Sequence, residues 1–249
     1  MVFLANTNLI DMNSILNARH ISKSFNGLQV LKDVSFTLKT GTITSLFGEN
    51  GSGKTTLFHI ITGYLKADKG KILYMGTDLN SKKPVGIARL GIGRVWQRPR
   101  ICQNLTVMDN LLLASPDHPG EKVLNYFTHF RQIFQEEKAR KGTSKLIASE
   151  VGLAGKLQKT AGSLSFGQQK LLSIGMLLMN DSELLLMDEP FAGVNAQMVD
   201  HISNVLSSVR EKGKSIFMIE HNRIKAERLS DYVLSLEKGE VLQNEMTIL

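Results

Sequence analysis

Gly48-Glu49-Asn50-Gly51-Ser52-Gly53-Lys54-Thr55, with Thr56 behind it, lies between the apolar run Thr42–Leu46 and a helix-forming segment, Lys54–Tyr64. It fits the pattern G-x-x-x-x-G-K-[ST], and its flanks are the ones that pattern requires, a strand before and a helix after. The composition has a physical reason. Glycines let backbone amides turn inward around phosphate oxygens, and the helix N-terminus adds the positive end of its dipole. Lys54 then reaches the terminal phosphates, and the Thr55 hydroxyl ligates magnesium. A nucleoside triphosphate, with ATP the expectation, is the ligand such a loop takes.

A phosphate loop that hydrolyses its ligand needs a carboxylate on the magnesium side and a group that orients water. Leu184-Leu185-Leu186-Met187-Asp188-Glu189 supplies both: an apolar strand delivers two acids at its C-terminal end, the edge at which open parallel sheets bind ligands. Asp188 reads as the magnesium-side acid and Glu189 as the base. A further strand, Ser215–Ile219, ends in Glu220-His221, which places an imidazole at the same edge, suited to the γ-phosphate and to Glu189. Acids after a buried strand are often ordinary loop residues, and a lone histidine is usually unremarkable. Their order behind the phosphate loop is what raises them to candidates.

The rest of the chain is consistent with one α/β unit. Its 249 residues are 42% hydrophobic and 21% charged, a globular balance. Its longest apolar run, Leu171–Met179, is broken by Ser173 and Gly175 and falls short of the roughly 20 residues of a bilayer span. The one cysteine, Cys102, excludes an internal disulfide, and the absence of a signal-like apolar core near the start points to a cytoplasmic protein. The net charge of +7 is scattered in small clusters such as Arg94, Arg98 and Arg100, or Lys138, Arg140 and Lys141, without interleaved aromatics. That reads as solvated surface rather than a nucleic-acid footprint, so no nucleic-acid partner is expected. Residues 1–15 are polar and rich in Asn and read as a loose leader, with Met12 an alternative start. Short β-like runs up to Leu46, punctuated by Asn26-Gly27 and Gly41, predict an antiparallel layer. Helical spacing in Val107–Leu113 and Val123–Ala139 predicts an inserted helical subdomain at about 103–180. The last third alternates strand and helix, which implies a parallel sheet covered on both faces.

Leu164-Ser165-Phe166-Gly167-Gln168 opens a long apolar helix with Ser165 as its cap, and its free amides, hydroxyl and close-approach glycine form an anion site with no anion of its own. This pentapeptide, downstream of the phosphate loop and ahead of the two acids, resembles the signature sequence of ATP-binding cassette proteins. Phe25 then resembles the aromatic that stacks on adenine, and Gln97 the glutamine joining the two subdomains, near the metal and the attacking water. Gly193-Val194-Asn195 resembles the loop after the acids, and His221 the switch histidine. The resemblance covers roughly residues 16–245. Phe166 replaces the usual second glycine of the signature, Asn195 a frequent aspartate, and Glu49 a common proline. None of these removes a phosphate ligand or the base.

The resemblance implies a phosphate-loop NTPase (RecA-like) sheet in a single domain over 16–249, with ATP and Mg2+ as cofactors and Thr55, Asp188 and Gln97 around the metal. It implies a head-to-tail dimer with a second ATPase subunit, whose residues equivalent to Leu164–Gln168 close over the bound ATP. It further implies transmembrane permease subunits as partners and a peripheral position on the inner face of the cell membrane. Gly193-Val194-Asn195, Val95-Trp96-Gln97-Arg98-Pro99-Arg100 and Asn104–Leu111 look most like branched-chain amino-acid importers, and the tail from Ile219-Glu220-His221-Asn222 through Leu236-Glu237-Lys238-Gly239 looks similar too. Phe191-Ala192-Gly193-Val194 also looks like a lipopolysaccharide exporter. A soluble cassette ATPase acting on ribosomes or DNA is the alternative from another class, and a phosphate-loop kinase leaves Leu164–Gln168 unexplained.

Overall fold

A computed structural model describes residues 13–116, 130–221 and 223–246. Two sheets carry the fold. The smaller is antiparallel, in the order β2-β1-β4-β5, from β1 (Ser14–Phe25), β2 (Leu28–Lys39), β4 (Lys69–Tyr74) and β5 (Thr77–Asp78). Its hairpin turns on Asn26 and Gly27, both at positive φ (47° and 84°), between the paired Phe25 and Leu28. This is the two-residue turn whose twist suits a hairpin, and Asn-Gly is its preferred sequence. Ser14 and the buried Ile15, counted with the leader from sequence, already belong to β1. Residues 1–12, including the alternative start, lie outside the described residues.

The larger sheet has the order β10-β9-β3-β8-β7-β6, from β3 (Ile43–Phe47), β6 (Ile92–Val95), β7 (Leu184–Asp188), β8 (Ser215–Glu220), β9 (Tyr232–Glu237) and β10 (Glu240–Met246). Its pairings are parallel except for β10 on β9. Every residue of β7 and β8 is buried, as a parallel strand covered on both faces must be. Alternation along β7 divides the core: Leu184 and Leu186 enter one hydrophobic cluster, Leu185 and Met187 the other. Because β3, β8, β7 and β6 are neighbours and parallel, the segments that follow them emerge side by side at one edge.

Helix α1 (Lys54–Ile61) follows the phosphate loop and stops earlier than its apolar pattern, because Thr62 caps it and Gly63 takes φ 74°. The short α2 (Pro84–Arg89), which periodicity did not reveal, begins on Pro84, a residue suited to a first turn. Helices α3 (Val107–Leu113), α4 (Phe130–Glu150) and α5 (Phe166–Met179) pack on one another, and α6 (Ala196–Glu211) and α7 (Arg223–Leu229) flank the sheet. The expected helix over Val123–Ala139 lies partly outside the described residues. Both α3 and α5 open on capping boxes, Thr106 with Asp109 and Ser165 with Gln168. No helix among the described residues is long and apolar enough to cross a membrane.

Candidate active site

The phosphate loop joins β3 to α1 and packs against the turn of the β9–β10 hairpin. A Cβ on Gly48 would fall on the Leu236 carbonyl oxygen and 2.8 Å from Ser52 Oγ, so the loop can approach β9 only with glycine there. Gly51 and Gly53 take φ 81° and 107°, open to glycine at no steric cost. The buried Lys54 ammonium donates to the carbonyls of Gly48 and Glu49, 2.7 Å each, and so curls inside its own loop. Burial lowers its pKa, opposed by the charges of Glu189 and Asp188. Ser52 Oγ is buried without a hydrogen-bond partner. A glycine-only cradle, a lysine held inside it and an orphaned hydroxyl form a donor set that fits phosphate oxygens.

A cavity of about 180 Å³ opens beside this loop. Asn50, Gly51, Gly53, Lys54, Thr55 and Thr56 line it together with Val30, Glu189 and His221. Gly48, Glu49 and Ser52 face a second space, of about 400 Å³, toward Leu236 and Lys238. Glu189 sits where three parallel strands end. Its Oε1 pairs with His221 Nε2 at 2.5 Å, and its Oε2 accepts from Gln97 Nε2 at 2.8 Å. Residues from the ends of β6, β7 and β8 thus meet on one carboxylate, whose backbone is held at φ 51°. A non-glycine residue in that region is strained and persists only where its surroundings insist on it.

Two cations at this site were missed from sequence. Arg94, grouped there with the surface charges, is a correction: its side chain is 4% exposed and its Nη2 donates to Asp188 Oδ2 at 2.9 Å. Arg98 and Arg100 do lie exposed. The guanidinium of Arg94 stacks 3.9 Å from the Trp96 ring centre, and Arg100 covers that ring at 3.7 Å. Lys170, 2% exposed, donates to the carbonyls of Glu189 at 2.7 Å and Pro190 at 3.0 Å. Desolvation lowers its pKa to about 8 in spite of Glu220, Glu189 and Asp188 nearby. The available signal was a charge inside an apolar run, Ile92–Val95 in one case and the α5 helix in the other. A charge placed there has to have a partner.

The predicted residues do not all converge. Phe25 ends β1, 41% exposed with Lys23 Nζ 5.4 Å from its ring, and does not line the cavity. Leu164, Ser165, Phe166, Gly167 and Gln168 form the start of α5, also away from it. Ser165 and Phe166 are exposed there, and the Phe166 ring lies 3.2 Å from where a Cβ on Gly193 would stand.

The sequence profile described as ABC transporter matches residues 31–192, from β2 through the two acids to the following loop. The chain belongs to the ABC transporter family. It is one of that family's nucleotide-binding ATPases. Among relatives, it is 34% identical to a probable branched-chain amino acid transport ATP-binding protein, LivG, of Methanocaldococcus jannaschii, over 93% of this chain and 90% of that one. It is 32% identical to the ribose import ATP-binding protein RbsA of Shouchella clausii, over 93% of this chain but 44% of the relative. Among solved structures, a nucleotide-free ATP-binding cassette from an ABC transporter superposes with a TM-score of 0.78 at 32% identity, covering 93% of this chain and 92% of that one. An ATP-binding cassette in its ADP conformation does so with 0.78 at 31%, covering 92% and 89%.

Proposed function

We propose that this ABC ATPase energises import of a small solute of the amino-acid type through separate permease subunits. The observation that carries the catalytic part is Glu189, held by Gln97 and His221 at the mouth of the cavity that Lys54 and Thr55 line. A carboxylate fixed at both oxygens is aimed without freedom of its own, which favours orienting one water toward a terminal phosphate. Lys54 exchanges its two loop carbonyls for phosphate oxygens, and His221 keeps its hydrogen bond to Glu189 while facing the γ-phosphate. Phe25 offers its ring to adenine. Thr55, Asp188 and Gln97 are the groups that would hold Mg2+, whose chemistry there is to neutralise charge on the phosphates. Among the described residues no cluster of three or more His, Cys, Asp or Glu could hold a metal unaided. That suits an ion bound by few protein groups and completed by phosphate.

Ser165 stands away from the cavity, exposed at a helix N-terminus with the buried Gly167 behind it, and this supports a role on the nucleotide of a second ATPase subunit, identical or related. A cavity of about 520 Å³ between Tyr64, Val85, Trp96, Leu113 and Met176 is the groove we assign to a permease segment. The protein would then work peripherally on the cytoplasmic face of the membrane, with no nucleic acid in its cycle. Amino-acid import is preferred to sugar import because the LivG relative matches along nearly its whole length, whereas this chain spans less than half of RbsA. Copurification with integral membrane proteins in detergent is the expected result for the natively expressed chain. Cosedimentation with ribosomes instead would refute the transport reading.

A further inference from the structure

Asp188 meets a cation before any metal arrives. Arg94 reaches it from the neighbouring strand β6, whose residue Arg94 is in register with Leu186 of β7. The guanidinium is fixed by packing, with Trp96 at 3.9 Å on its ring and Phe58 of α1 at 5.5 Å. Of its nitrogens, Nη2 bonds Asp188 while Nε and Nη1 are buried without partners. A buried cation with one hydrogen-bonded counter-ion depends on that counter-ion keeping its charge. Lys54 and Lys170 also feel Asp188 and Glu189. Three cations, Lys54, Arg94 and Lys170, stand among three acids, Asp188, Glu189 and Glu220, so a bare dication approaching Asp188 meets a site already neutralised.

We propose that Arg94 competes with the divalent cation for Asp188, so that the metal is captured only together with nucleotide phosphates. This rests on Asp188 being the metal-side acid. Phosphate oxygens would bring the negative charge that offsets Arg94 and Lys54, and Asp188 would then be free to help hold the ion. Without nucleotide, Arg94 keeps Asp188 closed to divalent ions. The physical device is charge competition in a poorly solvated place, where a single unit charge a few ångströms away changes an ion's affinity by tenfold or more, about 1.4 kcal/mol.

The test uses Mn2+ as the probe, with the electron paramagnetic resonance signal of free Mn2+ reporting uptake by the full chain without nucleotide. The wild type should bind Mn2+ at Asp188 weakly. Arg94→Met, which keeps an apolar chain between Phe58 and Trp96, should bind it about tenfold more tightly, and Arg94→Met with Asp188→Asn should lose the gain. Arg94→Lys, which restores a cation, should return most of the way to wild type. Arg94→Gln, neutral and able to donate to Asp188, serves if the methionine variant does not fold, as judged by circular dichroism. Tight binding of bare Mn2+ by the wild type overturns the proposal without any variant. Equal or weaker binding by the folded neutral variants also overturns it and marks Arg94 as an orienting group. Binding of a fluorescent ATP analogue at saturating Mg2+ tests the nucleotide site separately: its failure in the wild type would sink the ATPase assignment of these residues and leave the metal comparison readable.

Discussion

At the residue scale, Glu189 is where Gln97 and His221 converge, and the proposed chemistry rests on it. Its carboxylate is bonded on both oxygens and its backbone is strained, with Lys170 holding the carbonyl. With Glu189 as the proposed base, Glu189→Gln should bind ATP as the wild type does and lose about 10²- to 10⁴-fold of turnover, since the cradle remains. Equilibrium nucleotide binding beside steady-state phosphate release checks it, and an unaltered rate would contradict the assignment. Lys54→Ala should instead fail at the binding step. Lys170 carries a pH signature. Its folded pKa, about 8, lies below the ordinary lysine value because burial disfavours the charged form. Between that value and roughly 10.4 the unfolded chain holds more protons than the folded one, so this group's cost to stability, full below about pH 8, is relieved as pH rises through the window. Melting temperatures of wild type and Lys170→Met should accordingly move in the wild type's favour from pH 8 to pH 10. A constant difference would show that Lys170 is not titrating there.

At the element scale, the N-terminus of α5 is built to be stable while exposed. Ser165 accepts from the Gln168 amide and Gln168 returns a bond to the Ser165 amide, which satisfies two groups that a helix start otherwise leaves to solvent. Ser165→Ala should cost about 1 kcal/mol of stability as a lost cap. It should also reduce ATP turnover at high protein concentration, where a second subunit can be engaged; a urea melt and a concentration series of activity separate the two effects. The departure at Phe166 gains a physical meaning from packing. Its ring lies against Gly193 and 5.2 Å from Lys170 Nζ, so the signature helix touches the segment after the acids within one subunit. The loop at the other helix start is less tolerant. Gly48→Ala places a methyl on the Leu236 carbonyl, and the expected outcome is loss of nucleotide binding with the sheet intact by circular dichroism.

At the scale of the whole molecule, strand order makes the site. The phosphate loop follows β3, His221 follows β8, Asp188 ends β7 with Glu189 after it, and Gln97 comes two residues beyond β6. These four strands are adjacent in the sheet although far apart in sequence. Leu164–Gln168, like Phe25, lies outside the cavity. A Glu189→Gln protein given ATP should run as a dimer in size-exclusion chromatography and return to monomer when ATP is replaced by ADP; a monomer under both conditions would remove the shared-site reading.

Much of this was legible in the chain. The Gly48–Thr55 loop, the two acids behind an apolar strand, the Asn26-Gly27 turn and the Ser165 cap are local patterns. Each is dictated by backbone conformation or by hydrogen bonds within a few residues, so a short window of sequence contains its whole cause. The pairing of Arg94 with Asp188 and the grip of Lys170 on Glu189 span longer separations, and which strands become neighbours is settled by how both faces of the sheet find cover. From sequence Arg94 was one more basic residue among several. Only the burial of β6 against β7 removes its water, and in that dry place a charge must find its partner, which here is the acid expected to hold the metal.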